Sequence, residues 1–225
     1  MTHRTPSSSW ILLFATTLIA VVAVPMQLAS WMEALAFVAG AICVALAVRE
    51  SIWNFPIGIV SSALYGWIFL KSGLLTDAGL QVFFILLGGM GWWMWHHQKD
   101  QPPQPIQRLQ AKEGYALLAI VLLATVTLWG IVYHFEHWVS LFDALTTSTS
   151  LACQWMLNRK KIENWLGWIF VDLIYIPLYA YKELYLTAIL YALFLGLAYL
   201  GWLQWNRTLR TASKDLAVDN AQPVH

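Results

Sequence analysis

Asp172 stands eight residues into the apolar run Asn164–Tyr181, about 12 Å along the axis if that run is helical. Trp165, Trp168, Tyr175 and Tyr179 lie at −7, −4, +3 and +7 from it, spacings that put all five side chains on one helical face. A carboxylate set among Trp and Tyr rings suits a flat cation. Coulomb attraction and cation–π contact would each contribute about 2 kcal/mol once water is excluded. Three other apolar runs carry mixed stripes of the same kind: Asn54, Gly58, Ser61 and Tyr65; Gln81, Phe84, Gly88, Trp92 and Trp95; Tyr191, Phe194, Ala198, Trp202 and Trp205. Their Asn and Gln side chains offer neutral donors and acceptors for hydroxyls or an amide. The ligand class this chemistry describes is a cationic aromatic head carrying a sugar.

The elements that must position these residues follow from composition. Of 225 residues 59% are hydrophobic and 11% charged, with a formal net charge of +1. That balance exceeds the apolar fraction of soluble domains and argues against both a cytosolic enzyme and a nucleic-acid binder. Eight runs reach a length near the ~20 residues that a bilayer crossing needs: Trp10–Leu28, Trp31–Val48, Ile52–Leu70, Thr76–Trp95, Tyr115–His134, Trp138–Leu157, Asn164–Tyr181 and Leu184–Trp205. None shows the alternation of a membrane β-barrel, so an all-α integral membrane bundle is expected. The first run ends in the small residues Leu28-Ala29-Ser30 and resembles a signal peptide. Its length exceeds the roughly 7–15 residues of a signal core, and a retained helix is expected.

Lys and Arg fix the expected orientation. Arg4, Arg49, Lys99, Arg108, Lys112, Arg159, Lys160, Lys161, Arg207, Arg210 and Lys214 fall on one side; Lys71 and Lys182 fall on the other. By the positive-inside rule both termini are cytoplasmic. The stretch Gln98–Gln110 reads as a polar linker, and the tail after Arg207 as polar and mobile.

Other groups read more plainly. Cys43 and Cys153 lie within spans and have no partner ligand at a useful spacing, so they read as small packing residues. His96, His97, His134 and His137 form no metal pattern, and Thr146–Ser150 suits close helix packing. No nucleophile–base pair, metal set or phosphate loop occurs within the spans, and no cofactor is expected. Asp172 has no second deep acid to pass a proton to, which disfavours proton coupling.

Internal similarity recurs at an offset near 110. Leu70-Lys71 with Leu74-Leu75-Thr76 matches Tyr181-Lys182 with Tyr185-Leu186-Thr187, and Gly91-Trp92 with Trp95 matches Gly201-Trp202 with Trp205. Trp53 matches Trp165, while Cys43 and Arg49 match Cys153 and Arg159. The reading is a 3+1+3 bundle with parallel repeats: residues 31–95 and 138–206 are the repeats, and 96–137 is the linker and connecting helix. Residues 1–30 form an extra N-terminal span, and 207–225 the cytoplasmic tail. Such architectures bind substrate near the midplane between the halves. The counterpart of Asp172 falls near Val60 or Ser61, so the acid belongs to one half only.

The segments Trp53-Asn54-Phe55-Pro56-Ile57-Gly58, Leu80-Gln81 and Gly91-Trp92-Trp93-Met94-Trp95 resemble the first half of the PnuC vitamin transporters. Asp143, Gln154-Trp155-Met156, Glu163-Asn164-Trp165 and Asp172 resemble the second half. The resemblance covers about Trp31 to Trp205. It implies a bacterial inner-membrane transporter of nicotinamide riboside, a fold similar to the SWEET sugar transporters, and a homotrimer. It further implies facilitated diffusion, with the nucleoside trapped by a cytoplasmic kinase. Relatives carry thiamine or riboflavin; thiamine, also a cation, is the sharpest competitor, and a proton-coupled nucleoside transporter is a further alternative. With helical spacing, the resemblance assigns Asp172 and Asn164 to ribose hydroxyls or the pyridinium charge. Gln81, Asn54 and Gln154 would read the amide or ribose, and Trp165, Trp53, Trp92 and Tyr175 would stack on the ring or gate the path.

Overall fold

A computed structural model describes residues 7–27, 30–71, 75–97, 105–132, 139–181 and 185–219. Among these residues eight helices are formed: α1 Ser7–Ala23, α2 Trp31–Val48, α3 Asn54–Lys71, α4 Leu75–His97, α5 Ala111–Val132, α6 Val139–Asn158, α7 Asn164–Tyr181 and α8 Tyr185–Asp219. Arg4, Lys99, His134, His137, Trp138 and Lys182 lie outside the described residues. α2 and α7 begin and end where the apolar runs do. Among the described residues three helices are individually long and apolar enough to cross a bilayer, over Trp31–Val48, Ala78–His97 and Ala111–Ile131.

Six helices close a ring. α2 packs on α3, α3 on α4, α4 on α6, α6 on α7, α7 on α8, and α8 returns to α2. α1 lies across α2 and α8, outside the ring, while α5 packs on α6. α5 turns Tyr115, Leu118, Leu122 and Val126 outward, an apolar surface that only a lipid solvent tolerates without cost.

The helix ends explain the ring's geometry. α2 starts at a capping box, in which Ser30 Oγ accepts from Glu33 N at 3.2 Å and Ser30 N donates to Glu33 Oε2 at 2.6 Å. It stops at Glu50, whose φ of 54° is left-handed. There Glu50 N donates to Ala47 O and Ser51 N to Leu46 O, satisfying carbonyls that the helix end leaves open. The end of α6 repeats this chemistry 110 residues later. Lys160 has φ 51°, Lys160 N donates to Leu157 O and Lys161 N to Met156 O.

The same offset governs the next contacts. Asn54 Nδ2 donates to Ser51 O at 2.6 Å, and Asn164 Nδ2 to Lys161 O at 2.6 Å. Trp95 Nε1 donates to Asn158 O at 2.9 Å, and Trp205 Nε1 to Val48 O at 3.2 Å. These indole bonds tie α4 to α6 and α8 to α2. Gly91 and Gly201 let α4 and α8 approach closely. A Cβ on Gly91 would collide with Phe55 and Asn158, and one on Gly201 would lie 2.6 Å from Trp165 ring atoms.

Part of the expected linker is ordered against the α6–α7 turn. Gln107 N donates to Lys160 O and Ile162 N to Gln107 O, each at 3.0 Å. Leu109 N donates to Glu163 Oε2 at 2.8 Å. Ile106 joins the buried cluster of Val48, Leu157, Ile162, Trp165 and Trp205. The tail differs from expectation. α8 runs unbroken to Asp219, because Arg, Leu, Ala and Lys after Trp205 are good helix formers and no Gly or Pro interrupts them.

Candidate functional site

A cavity of about 270 Å³ sits inside the ring, and all six ring helices line it. α2 contributes Gly40, Cys43, Val44 and Ala47, a face of small residues that leaves the room. α3 supplies Asn54, Ser61, Ser62 and Tyr65, and α4 supplies Gln81 and Phe84. α6 brings Ser150 and Gln154; α7 brings Trp165, Trp168, Asp172 and Tyr175; α8 brings Tyr191 and Phe194. Among the described residues lining this space, Asp172 is the one charged side chain. It is 4% exposed.

The aromatic walls interlock. Phe84 and Trp168 face each other with centroids 6.2 Å apart, and Tyr175 and Tyr191 lie 4.8 Å apart. Trp165 meets Trp205 edge-on at 5.5 Å and 90°, while Gly201 presses against its ring. At this site the buried donor Trp165 Nε1 and the buried acceptor Asn164 Oδ1 have no hydrogen-bond partner among the described residues. Such groups cost about 1–3 kcal/mol each while unsatisfied, so a ligand acceptor beside Trp165 would recover that energy. Ser61 Oγ, by contrast, already donates to Ala36 O at 2.8 Å.

Of the residues expected from sequence, Asp172, Trp165, Tyr175, Gln81, Asn54 and Gln154 come together around the cavity. Asn164 is buried next to it, holding the α6–α7 turn through Lys161 O. Trp53 and Trp92 are placed differently. They are 65% and 43% exposed, Trp92 on an outer groove with Gly89, Trp93, His96 and His97. Their positions near helix ends suit the aromatic belt at a membrane interface, where amphipathic rings sit at the level of the headgroups. The side chain of Tyr179 lies outside the described residues.

Sequence reasoning missed the α2 wall and Ser62. α2 carries no polar residue between Glu33 and its end at Val48, so no polar stripe marks its inner face. Ser62 lies 110 residues before Asp172, one position beyond the expected counterpart, and the constant hydrogen-bond offset would have located it. Cys43 and Cys153 are free thiols; Cys43 lines the cavity and Cys153 packs against Gly167. The Thr146–Ser150 hydroxyls mostly bond their own helix, as Ser148 Oγ does to Ala144 O at 2.8 Å. Ser150 lines the cavity.

Comparison with known proteins gives this arrangement a context. The sequence profile of a family described as nicotinamide mononucleotide transporter matches residues 30–207. The nicotinamide riboside transporter PnuC of Escherichia coli is 24% identical over 208 residues, covering 80% of this chain and 87% of that one. The riboflavin/roseoflavin transporter RibM of Streptomyces davaonensis is 24% identical over 182 residues, covering 78% and 84%. A crystal structure of the vitamin B3 transporter PnuC superposes with a TM-score of 0.75 at 20% identity, covering 94% of each chain.

Proposed function

The chain belongs to the nicotinamide mononucleotide transporter family, the PnuC family of membrane transporters, and on that footing we propose that it carries nicotinamide riboside into the bacterial cytoplasm. The observation that carries this reading is the lone carboxylate of Asp172 in an aromatic cavity whose described lining holds no Lys, Arg or His. Such a site attracts a pyridinium and gives nothing to a phosphate dianion, so it suits the riboside better than the mononucleotide. The volume of about 270 Å³ is near the lower end of ligand pockets, roughly 300–1,000 Å³, and suits a nucleoside more than a tricyclic flavin.

In this reading Asp172 offsets the pyridinium charge, with Ser62 and Gln81 facing the ribose. Trp165 offers its unpaired N–H, and Trp168, Tyr175 and Phe84 close on the ring. Asn164 acts through the turn it holds. The chain is a parallel 3+1+3 duplication with an added N-terminal helix, a reading supported by hydrogen bonds that recur at an offset of 110. Eight crossings with both termini cytoplasmic agree with the basic residues at the α2–α3 and α6–α7 turns. Transport is facilitated diffusion by a homotrimer in the inner membrane, with alternating exposure by movement of one half against the other. A cytoplasmic kinase traps the product.

Titration calorimetry on the detergent-purified protein tests the proposal, with nicotinamide riboside, thiamine and nicotinamide as ligands. Saturable binding of the riboside alone is expected. Thiamine binding in its place would overturn the named vitamin and leave the cationic-site argument standing; silence from all three would remove both.

A further inference from the structure

Asn158, at the end of α6, is fully buried, at 0% exposure. Its Nδ2 donates to Leu87 O of α4 at 2.8 Å, and its own backbone carbonyl accepts from Trp95 Nε1 at 2.9 Å. α4 thus holds it at two points, and Gly91 clears the space it occupies. A backbone carbonyl can only accept, so the Leu87 contact settles which end of the Asn158 amide faces α4. The other end, Oδ1, can only accept as well, and it receives Gln154 Nε2 at 3.1 Å. Gln154 lines the cavity. With its nitrogen drawn toward Asn158, the atom it turns away from Asn158 is the acceptor Oε1.

We propose that Asn158 is a positioning residue that fixes the polarity of the Gln154 amide, so that the cavity reads an N–H donor on the bound ring. This rests on the transport reading above and adds which group of the substrate is recognised, and by what. The depth is right. Gln154 lies four residues from the end of α6, and Trp168 four residues from the start of α7. Asp172 lies four residues further along α7, about 6 Å deeper. A pyridinium with its carboxamide at Gln154 therefore directs its ring nitrogen and sugar toward Asp172. The residue 110 positions before Asn158 is the apolar Val48, so the relay exists in one half only, the half that also carries the acid.

The test uses two ligands of equal charge and near-equal shape: nicotinamide riboside, and the riboside of 3-acetylpyridine, whose methyl ketone has no N–H. Affinities are measured by calorimetry on the full chain, with a melting curve for each variant. The wild type is expected to favour the carboxamide about tenfold, the effect of one well-placed hydrogen bond. Asn158→Leu frees Gln154 to rotate, and the ratio is expected to fall toward one. Asn158→Asp in its neutral form donates O–H to Leu87 O and accepts from Gln154, so the ratio is expected to survive. A structural role alone would lower the melting temperature of the variants without this split. Gln154→Leu leaves the α4 contact intact and is expected to lose the ratio as well, which keeps the test decisive should the Asn158→Leu protein misfold. A wild type that binds both ribosides equally, or an Asn158→Leu protein that keeps the preference, overturns the inference alone. A wild type that binds neither overturns the transport reading and the inference with it.

Discussion

Lys160 Nζ lies 2.9 Å from Glu50 Oε2, and the two residues are the left-handed turn residues that end α6 and α2, 110 positions apart. Lys160 also lies 4.7 Å from the centroid of the Trp95 ring. The pair joins the two helix ends from opposite halves of the ring, next to the indole bonds of Trp95 and Trp205. Side-chain exposures of 10% and 27% put it between surface pairs, worth up to about 1 kcal/mol, and buried ones, where breaking costs about 3–5 kcal/mol. Glu50→Gln and Lys160→Met are each expected to cost about 1–3 kcal/mol. Exchanging the charges, Glu50→Lys with Lys160→Glu, is expected to recover much of that. A double-mutant cycle by thermal unfolding in detergent measures the coupling, and additive losses would mean that the contact contributes nothing.

Neutralising the cavity acid separates binding from folding. Asp172→Asn keeps size and hydrogen-bonding capacity but removes the charge, and the Kd for nicotinamide riboside is expected to rise about 30-fold, equivalent to about 2 kcal/mol. The melting temperature should hold or rise, since a buried charge is costly in itself. Unchanged affinity would show that the carboxylate does not offset the ligand's charge.

Two tryptophans that look alike in sequence should behave differently. Trp165→Ala empties part of the cavity wall and is expected to abolish measurable uptake, with a stability loss of about 3–5 kcal/mol for a large buried aromatic. Trp165→Phe preserves most of the packing and isolates the loss of the N–H. Trp53→Ala, on the outer surface, is expected to leave uptake within about twofold and stability within roughly 0.5 kcal/mol. Uptake into proteoliposomes distinguishes the two; an inactive Trp53→Ala protein would place the pathway elsewhere.

Glycines offer a packing test. Gly201→Ala drives a methyl into the Trp165 ring and is expected to cost about 1–3 kcal/mol, with riboside affinity falling as that ring shifts. Gly89→Ala meets nothing within 4 Å and should gain up to about 1 kcal/mol from helix propensity. Melting temperatures of the two proteins should move in opposite directions.

Much of the fold was legible because lipid demands long apolar helices, and the runs Trp31–Val48 and Asn164–Tyr181 ended where the helices do. The length of the last helix was not: polar residues after Arg207 read as a tail beyond the span, although their helix propensity favours continuation. At the site, Asp172 stood out because an acid inside an apolar run is costly and needs a reason. Trp53 and Trp92 shared the composition of pocket residues, and helical phase alone does not separate an inner face from a membrane belt. Asn158 was invisible for a different reason. Its contribution depends on Leu87 O and Gln154, and a backbone carbonyl leaves no mark in a sequence.

The ion pair between Glu50 and Lys160 also bears on ancestry. In a two-fold dimer of identical chains, the residue at this turn would meet its own copy, glutamate against glutamate or lysine against lysine. Opposite charges can face each other there only when the two halves are encoded separately and free to differ. The same freedom lets Asp172 oppose Ser62, and Asn158 correspond to Val48. Under the proposed duplication, covalent fusion did more than tether two halves: it allowed a symmetric shell to hold an asymmetric passenger.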